Sequence, residues 1–525
     1  GAGDEAPVEQ WADALGRCGR LAEAVVGWRE GLAAQERAAA PDLVRVALLH
    51  RRVAVAERDR GHLDAATRHL VAAARAAAGV DQRILADVLA DRFALAERTG
   101  DQATARDVNA ELGRLAAWAV DDEVVLAATV TRAGWERASG NLAAAGEAGA
   151  EALAAARRAG SPSAELRALA AVLEVAIDAG AAEVIRAHAD RLLTLAARWG
   201  SPALELRAIG SRAAAGVHDG DWRAMDRDIA RCLALSRRFD VPRSVSTVLL
   251  VRCLLQVFRG DLAAAESSLA EAGRHGAAVA GDRHVAGDLA MARGQLALAR
   301  LDRAALAELV PVLRRPGGRN VTWRLLTAAH ALVALGRDGE LPELAGQLST
   351  GAPDGYRQAV VDWIAGLAPS GDPATALEHL RRAADDLAGR RRPYWAALAG
   401  LDLAQRAADG RRAVALAYAE DALVTLDGLG ARRGADRARR LLRGLGARPR
   451  PARRPGAAGG PLSARELEVA RLFAEGLTTA EVAARLVLSP HTVTAHLRRI
   501  YERLEVHSRA ALTRILVERD LLGPD

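Results

Sequence analysis

The chain has 525 residues, 50% of them hydrophobic, with 72 basic and 66 acidic side chains and a formal net charge of +6. All 72 basic residues are arginine, which excludes from this chain a glycine-rich phosphate loop ending in Lys-Ser/Thr, and any ATPase built on one. No apolar run reaches the ~18 residues that a membrane span requires, and three widely separated cysteines exclude a disulfide framework.

The chain opens with Gly1-Ala2-Gly3 rather than Met, as expected of a chain trimmed or taken from something longer, and no charged-then-apolar signal peptide follows. Residues 1–430 read as one long repeat. Gly100, Gly140, Gly180, Gly220 and Gly260 fall at intervals of 40, each opening a turn before a helix. A second turn recurs with the same step at Ser161-Pro162, Ser201-Pro202 and Val241-Pro242. The segments Gly160–Ala168 and Gly200–Ala208 nearly coincide. The phase extends to Gly19 and Gly61 upstream and, less strictly, to Gly336, Gly371 and Gly410; near Arg300 the glycine is missing. Between turns lie two apolar-periodic stretches of roughly 15 residues, such as Trp222–Phe239 and Val245–Phe258, so each unit is a helix pair. A single pair cannot bury its apolar stripe, whereas stacked pairs can. The expected fold is therefore an all-α solenoid of about ten or eleven pairs of about 40 residues, each touching only its neighbours.

Within that array Trp28, Trp135, Trp199, Trp222, Trp363 and Trp395 are expected in the core. Cys18, Cys232 and Cys253 are expected as small buried hydrophobes. Asp121-Asp122-Glu123 falls in a turn, where helix capping and exposure account for it. Gly428, Gly430 and Gly434 miss the dinucleotide-binding spacing and follow no strand. No catalytic residue, cofactor site or metal site is expected, and the chain reads as a non-enzyme.

Residues 431–461 hold ten Arg and one Asp, a charge of +9, whereas residues 462–525 hold nine Arg and nine acids, a charge of 0. Since 6 − 9 − 0 = −3, residues 1–430 carry about −3 and the positive charge concentrates at the joint. Its Pro/Gly-rich part cannot hold a helix, so residues 445–461 read as a flexible basic linker between a repeat region, 1–444, and a C-terminal domain, 462–525.

That domain reads as four short helices. Ser463 with Glu466, and Thr478 with Glu481, form capping boxes; Gly476 supplies a left-handed helix end. Ser489 before Pro490 opens the third helix, and Ser508 caps a fourth that runs to about Arg519. Val493, Leu497, Ile500 and Leu504 make one buried stripe on the third helix. The same period puts His491, Thr494, Ala495 and Arg498 on the opposite face, with Arg499 and Glu502 at its flank. Small and basic residues on such a face suit entry into a DNA major groove. The two histidines, His491 and His496, lack a third ligand for a metal.

Three motifs, Leu462-Ser463-Ala464-Arg465-Glu466, Gly476-Leu477-Thr478 through Glu481-Val482-Ala483, and Ser489 through Thr492-Val493 to His496, resemble the LuxR-type DNA-binding domain over residues 462–522. The resemblance implies that Thr494, Ala495 and Arg498 meet bases and that Thr492 and Arg499 sit near phosphates. It adds Ser489, His491 and Arg509 to the DNA-binding set, and gives the fourth helix a two-fold dimer contact through Leu512, Ile515 and Leu516. Thr494 departs from the family's usual Lys, and Glu505 from its usual Gly; if that position needs positive φ, Glu costs about 1 kcal/mol. The repeats resemble the tetratricopeptide-like superhelix of large LuxR-type activators related to the maltose-regulon activator. The combined expectation is a cytoplasmic, nucleoid-associated bacterial regulator. Its repeats sense an effector or protein, and its last domain binds double-stranded operator DNA as a homodimer, with a contact to RNA polymerase and none to a membrane. Two rivals stand beside it: the C-terminal portion of an ATP-dependent activator, and a helical-repeat interaction scaffold.

Overall fold

The computed structural model describes residues 5–447 except 200, 201, 238, 240, 350–354, 370 and 371, and residues 462–518 except 463, 487, 505, 507 and 508. Side chains are also left undescribed at a few helical positions, among them Trp199 and Glu502. The expected caps Ser463 and Ser508, Glu505, Gly371 and the linker from Arg448 to Pro461 lie outside the described residues. The chain divides into two compact units, residues 1–450 and 451–525.

Among the described residues all regular structure is helical. The described residues of the first unit run through 23 α-helices, from Glu5–Arg17 to Arg432–Gly444, paired as the 40-residue step implies. Leu43–Arg60 pairs with Leu63–Ala77, Gln82–Thr99 with Gln102–Ala117, and Pro242–Arg259 with Leu262–Ala277. Both turns have a physical cause. Asp42, Asp81, Asp121, Ser161 and Asp282 cap the first helix of their pairs, each side chain accepting from a backbone N–H of the first turn. Asp101, Asn141, Asp221, Asp261 and Asp302 do the same for the second helix.

The missing glycine near Arg300 is replaced, not bypassed. Leu301 takes the left-handed conformation itself, with φ 57°, and its side chain is 76% exposed, so packing does not compensate the strain. Leu301→Gly is expected to stabilise the unit by about 1 kcal/mol, read as a higher melting temperature, because glycine enters that conformation without the Cβ clash. A lower melting temperature would mean the leucine side chain matters more than its backbone.

First helices of successive pairs also pack on one another, as Gln82–Thr99 does on Asp122–Ala138 and Asp122–Ala138 on Pro162–Asp178, so they form one layer of the array. That layer winds back over itself. Leu43–Arg60 touches Pro242–Arg259, Gln82–Thr99 touches Arg283–Arg300, Pro202–Asp219 touches Pro393–Ala407, and Pro242–Arg259 touches Arg432–Gly444. A helix thus lies against the one five pairs later, and the expectation that each unit touches only its neighbours is overturned.

Arginine chemistry makes this second set of contacts. Helix C-termini leave carbonyls without intrahelical partners. Arg392 donates to the Ala179 and Gly180 carbonyls at 2.8 and 2.7 Å, Arg357 donates to the Gly140 carbonyl, and Trp395 Nε1 donates to the Val217 carbonyl at 3.1 Å. Asp178 accepts from the Asn320 backbone at 2.7 Å. A Cβ on Gly180 would collide with the Arg392 guanidinium, so this turn needs glycine for close approach as well as for its φ of 59°.

Several other expectations change. Trp28, Trp222, Trp363 and Trp395 are buried, but Trp135 is only half-buried. Cys232 and Cys253 are buried, and burial pushes both thiols up to about 12; Cys18 is exposed. Asp121 is the expected cap, yet Glu123 is buried and not a surface acid, because Arg167 and Ser161 from the next pair converge on it. The basic joint also splits. Its first half forms the helix Arg432–Gly444, in which Ala435, Ala438 and Leu442 are buried, Arg437 pairs with Asp402 and Arg439 with Asp427.

Candidate DNA-binding surface

The second unit builds its own core. Its helices are Ala464–Ala474, Thr479–Leu486, Pro490–Leu504 and Arg509–Glu518, and the third touches all the others. Val493 and Ile500 are fully buried and Leu497 and Leu504 are 6% exposed, which seats the anticipated stripe against Val469, Ala470, Val482 and Ala483.

The turns are set locally. Glu481 accepts from the Thr478 backbone N–H at 2.7 Å and Thr478 Oγ1 accepts from the Glu481 N–H at 3.3 Å, a reciprocal capping box. Gly476, at φ 114°, ends the first helix with the Leu477 N–H donating back to the Leu472 carbonyl. Ser489 Oγ accepts from the Thr492 N–H at 3.0 Å and bonds the Thr492 hydroxyl at 2.7 Å. The N-terminus of the third helix is thereby fixed.

On the face opposite the stripe, His491, Thr494 and Arg498 are exposed, and Thr492, Ala495 and Arg499 are half-buried. Thr494 Oγ1 donates to the Pro490 carbonyl at 3.0 Å, which occupies its donor within the helix. Its methyl group remains as an apolar contact, suited to a thymine methyl. From His491 to Arg499 these residues span about two helical turns.

Arg509 is placed differently from the rest of the set. It donates to the Leu477 carbonyl at 3.1 Å and its guanidinium lies 4.4 Å from the Phe473 ring centre, so it ties the fourth helix to the turn after the first. Leu512 and Leu516 have no exposed surface and belong to the domain core; of the three residues expected at a dimer contact, only the half-buried Ile515 keeps surface for a partner. Arg465 is a residue whose role the motif did not reveal. It bonds Glu468 and donates to the Leu486 carbonyl at 2.7 Å, which closes the end of the second helix and sets the turn into the third. Among the described residues no group of three or more His, Cys, Asp or Glu could hold a metal, and no helix is long and apolar enough to cross a membrane.

Comparison with known proteins converges on this unit. The luxR family of bacterial regulatory proteins matches residues 460–516. Proteins of Mycobacterium bovis and Mycobacterium tuberculosis that carry the name HTH-type transcriptional regulator are 44% identical over 70 residues, 13% of this chain and 8% of theirs. A nitrate/nitrite response regulator protein homolog of Haemophilus influenzae is 41% identical over 59 residues, 11% of this chain and 28% of its own. The chain thus spans a small part of the relatives it matches. Among solved structures, a circular tandem repeat protein with novel repeat topology aligns over 84% of this chain and 96% of its own at 16% identity. Its TM-score is 0.14, from which nothing about the fold follows. The motifs, the buried stripe with its opposed polar patch, and the family match agree: residues 460–516 are a LuxR-family helix-turn-helix DNA-binding domain.

Proposed function

We propose that the protein is a transcription regulator whose C-terminal domain binds operator DNA as a dimer and whose repeat unit receives an effector or a partner protein. The observation that carries the reading is the third helix of the domain, Pro490–Leu504, with one face sunk in the core and the other presenting His491, Thr494, Ala495 and Arg498. In this reading Thr494, Ala495 and Arg498 meet base edges, and Ser489, Thr492 and Arg499 lie along phosphates. Arg509 positions the fourth helix and reaches a phosphate with its remaining donors. Two copies meet through the fourth helix around Ile515. The regulator works at the nucleoid, in the cytoplasm, where a contact with RNA polymerase converts binding into regulation.

Selection of bound sequences from random duplex DNA, by the full chain and by residues 445–525, tests it. A shared enriched motif with two-fold symmetry is expected. Binding that enriches no sequence and hardly weakens with salt would favour a scaffold whose terminal helices dock a protein, since DNA contacts release counterions. The linker arginines add to the same term. Replacing Arg448, Arg450, Arg453 and Arg454 with Gln is expected to weaken binding to all sequences alike. The slope of log affinity against log salt should flatten by up to about 0.9 for each phosphate that is no longer neutralised. An unchanged slope would make the linker only a tether.

A further inference from the structure

The repeat unit holds a partly open cavity of about 230 Å³ between its superposed turns, lined by five arginines, Arg58, Arg98, Arg207, Arg243 and Arg319, and by three acids, Asp59, Glu174 and Asp288. Four of the arginines have carboxylate partners. Arg319 bonds Asp288 at 2.9 Å, Arg207 bonds Glu174 at 3.0 Å, Arg58 bonds Asp59 at 2.9 Å, and Arg243 bonds Asp282, behind the wall, at 2.9 Å. Arg98 is the fifth. Its nearest carboxylate oxygen is 3.8 Å away, on Asp59, which Arg58 already engages, and its Nη1 is enclosed without a hydrogen bond. Burial, with Arg243 and Arg58 nearby, holds its guanidinium down to about 9, still charged at neutral pH.

Two further enclosed donors at this cavity make no hydrogen bond: Nε of Arg319, whose side chain is 9% exposed, and Nε1 of Trp323, 6% exposed. One acceptor does not either, Glu174 Oε2, but Arg319 lies 3.5 Å from it. The rest of the wall is mixed, with Leu254, Met291 and Trp323 beside the polar Ser211, His218, Ser244, Thr247 and Asn320. Arg207, on the same wall, keeps 37% of its side chain exposed. Buried donors and a buried cation are costly unless something accepts from them.

We infer that this cavity is the effector site of the repeat unit, and that it takes a small organic anion, a carboxylate or phosphate monoester whose oxygens pair with the Arg98 guanidinium, which keeps 14% of its side-chain surface, and whose apolar body lies against Leu254 and Met291. The inference deepens the proposed sensing role and rests on it. An anion adds to the one long ion pair that Arg98 makes, with Asp59, and a neutral ligand of equal shape does not. Charge-assisted bonds in such an enclosure are the strong ones.

The test is thermal melting of the full-length protein with 3-phenylpropionate, phenyl phosphate or the uncharged 3-phenylpropionamide. Above the dissociation constant, an anion is expected to raise the melting temperature of the repeat unit by roughly 1–2 °C per tenfold in concentration. The amide should leave it unchanged. A shift with phenyl phosphate but not phenylpropionate, or the reverse, decides between the two anion classes. Arg98→Gln should abolish the shift, measured against its own ligand-free melting temperature, since the substitution also takes a cation from the buried Asp59 and Asp282. Equal shifts with the amide, a shift that survives in Arg98→Gln, or no shift with either anion would each overturn the assignment. Operator binding by Arg98→Gln, measured by gel shift, should match that of the native protein; loss of DNA recognition by the native chain itself would instead sink the regulator reading.

Discussion

Arg498→Ala is expected to cost about 1–3 kcal/mol on the preferred DNA site, to relax one base position, and to leave the domain folded. Arg498 projects from the third helix on the side away from Val493, Leu497 and Ile500, so its removal opens no cavity. A guanidinium in the major groove bonds a guanine bidentately, and that preference is what the variant loses. Gel shifts on the selected site and on random duplex separate the possibilities. Equal losses on both would make Arg498 a phosphate contact and reassign the base-reading role along the helix. Arg509→Ala gives the contrast, since it removes the bond to Leu477 and the cover over Phe473. It should lower the melting temperature of the domain as well as its affinity for all DNA.

Cutting the repeat unit at Pro202 should not leave a stable shorter array. In a simple solenoid, loss of the first repeats costs one interface and the remainder stays folded. Here the cut also removes the Ala179 and Gly180 carbonyls from Arg392, the Gly140 carbonyl from Arg357, Asp178 from Asn320 and Glu174 from Arg319. The cut also uncovers the faces of Pro202–Asp219 and Pro242–Arg259 that Ala182–Trp199, Pro162–Asp178 and Leu43–Arg60 pack on, and apolar surface returned to water costs about 25 cal/mol per Å². Residues 202–447 are expected to melt far below residues 1–447, or to aggregate. Arg392→Ala in the intact unit isolates the turn-to-turn bonds. It leaves two enclosed carbonyls, at about 1–3 kcal/mol each, and should destabilise by about 2–6 kcal/mol. If the cut unit melts cooperatively within a few degrees of the whole one, the superposed turns contribute little and the solenoid behaves one-dimensionally after all.

The reading helix and the superposed turns differ in how far residue order alone reveals them. The third helix, its cap at Ser489 and its buried stripe follow from relations between residues no more than four apart, repeated along one element. The capping box at Thr478 and Glu481 and the glycine end at Gly476 are equally local. The 40-residue step is legible for the same reason, because each turn must solve the same capping problem with Asp, Asn, Ser or Gly. Even the missing glycine obeys the step, with Leu301 in the conformation that glycine holds elsewhere.

Contacts that join positions far apart leave no such trace. Nothing near Gly180 announces that Arg392 approaches it from 212 residues away, and nothing near Glu123 announces the arginine that buries it. On the fourth helix the pattern of Leu512, Ile515 and Leu516 fits a dimer seam as well as a core, and only packing against the other three helices assigns Leu512 and Leu516 inward. In residue order Arg509 is one more cation beside a DNA reader; its carbonyl and aromatic partners give it a positioning role. By itself, then, the sequence determined the helices, their pairing and which face of the third helix of the DNA-binding domain is left exposed, all of which rest on short-range periodicity and backbone capping. The tertiary structure decided the superposed turns, the cluster of arginines and acids in their cavity and the inward side of the last helix. Those depend on which distant charges and carbonyls meet, and a repeat with one local period permits many such meetings.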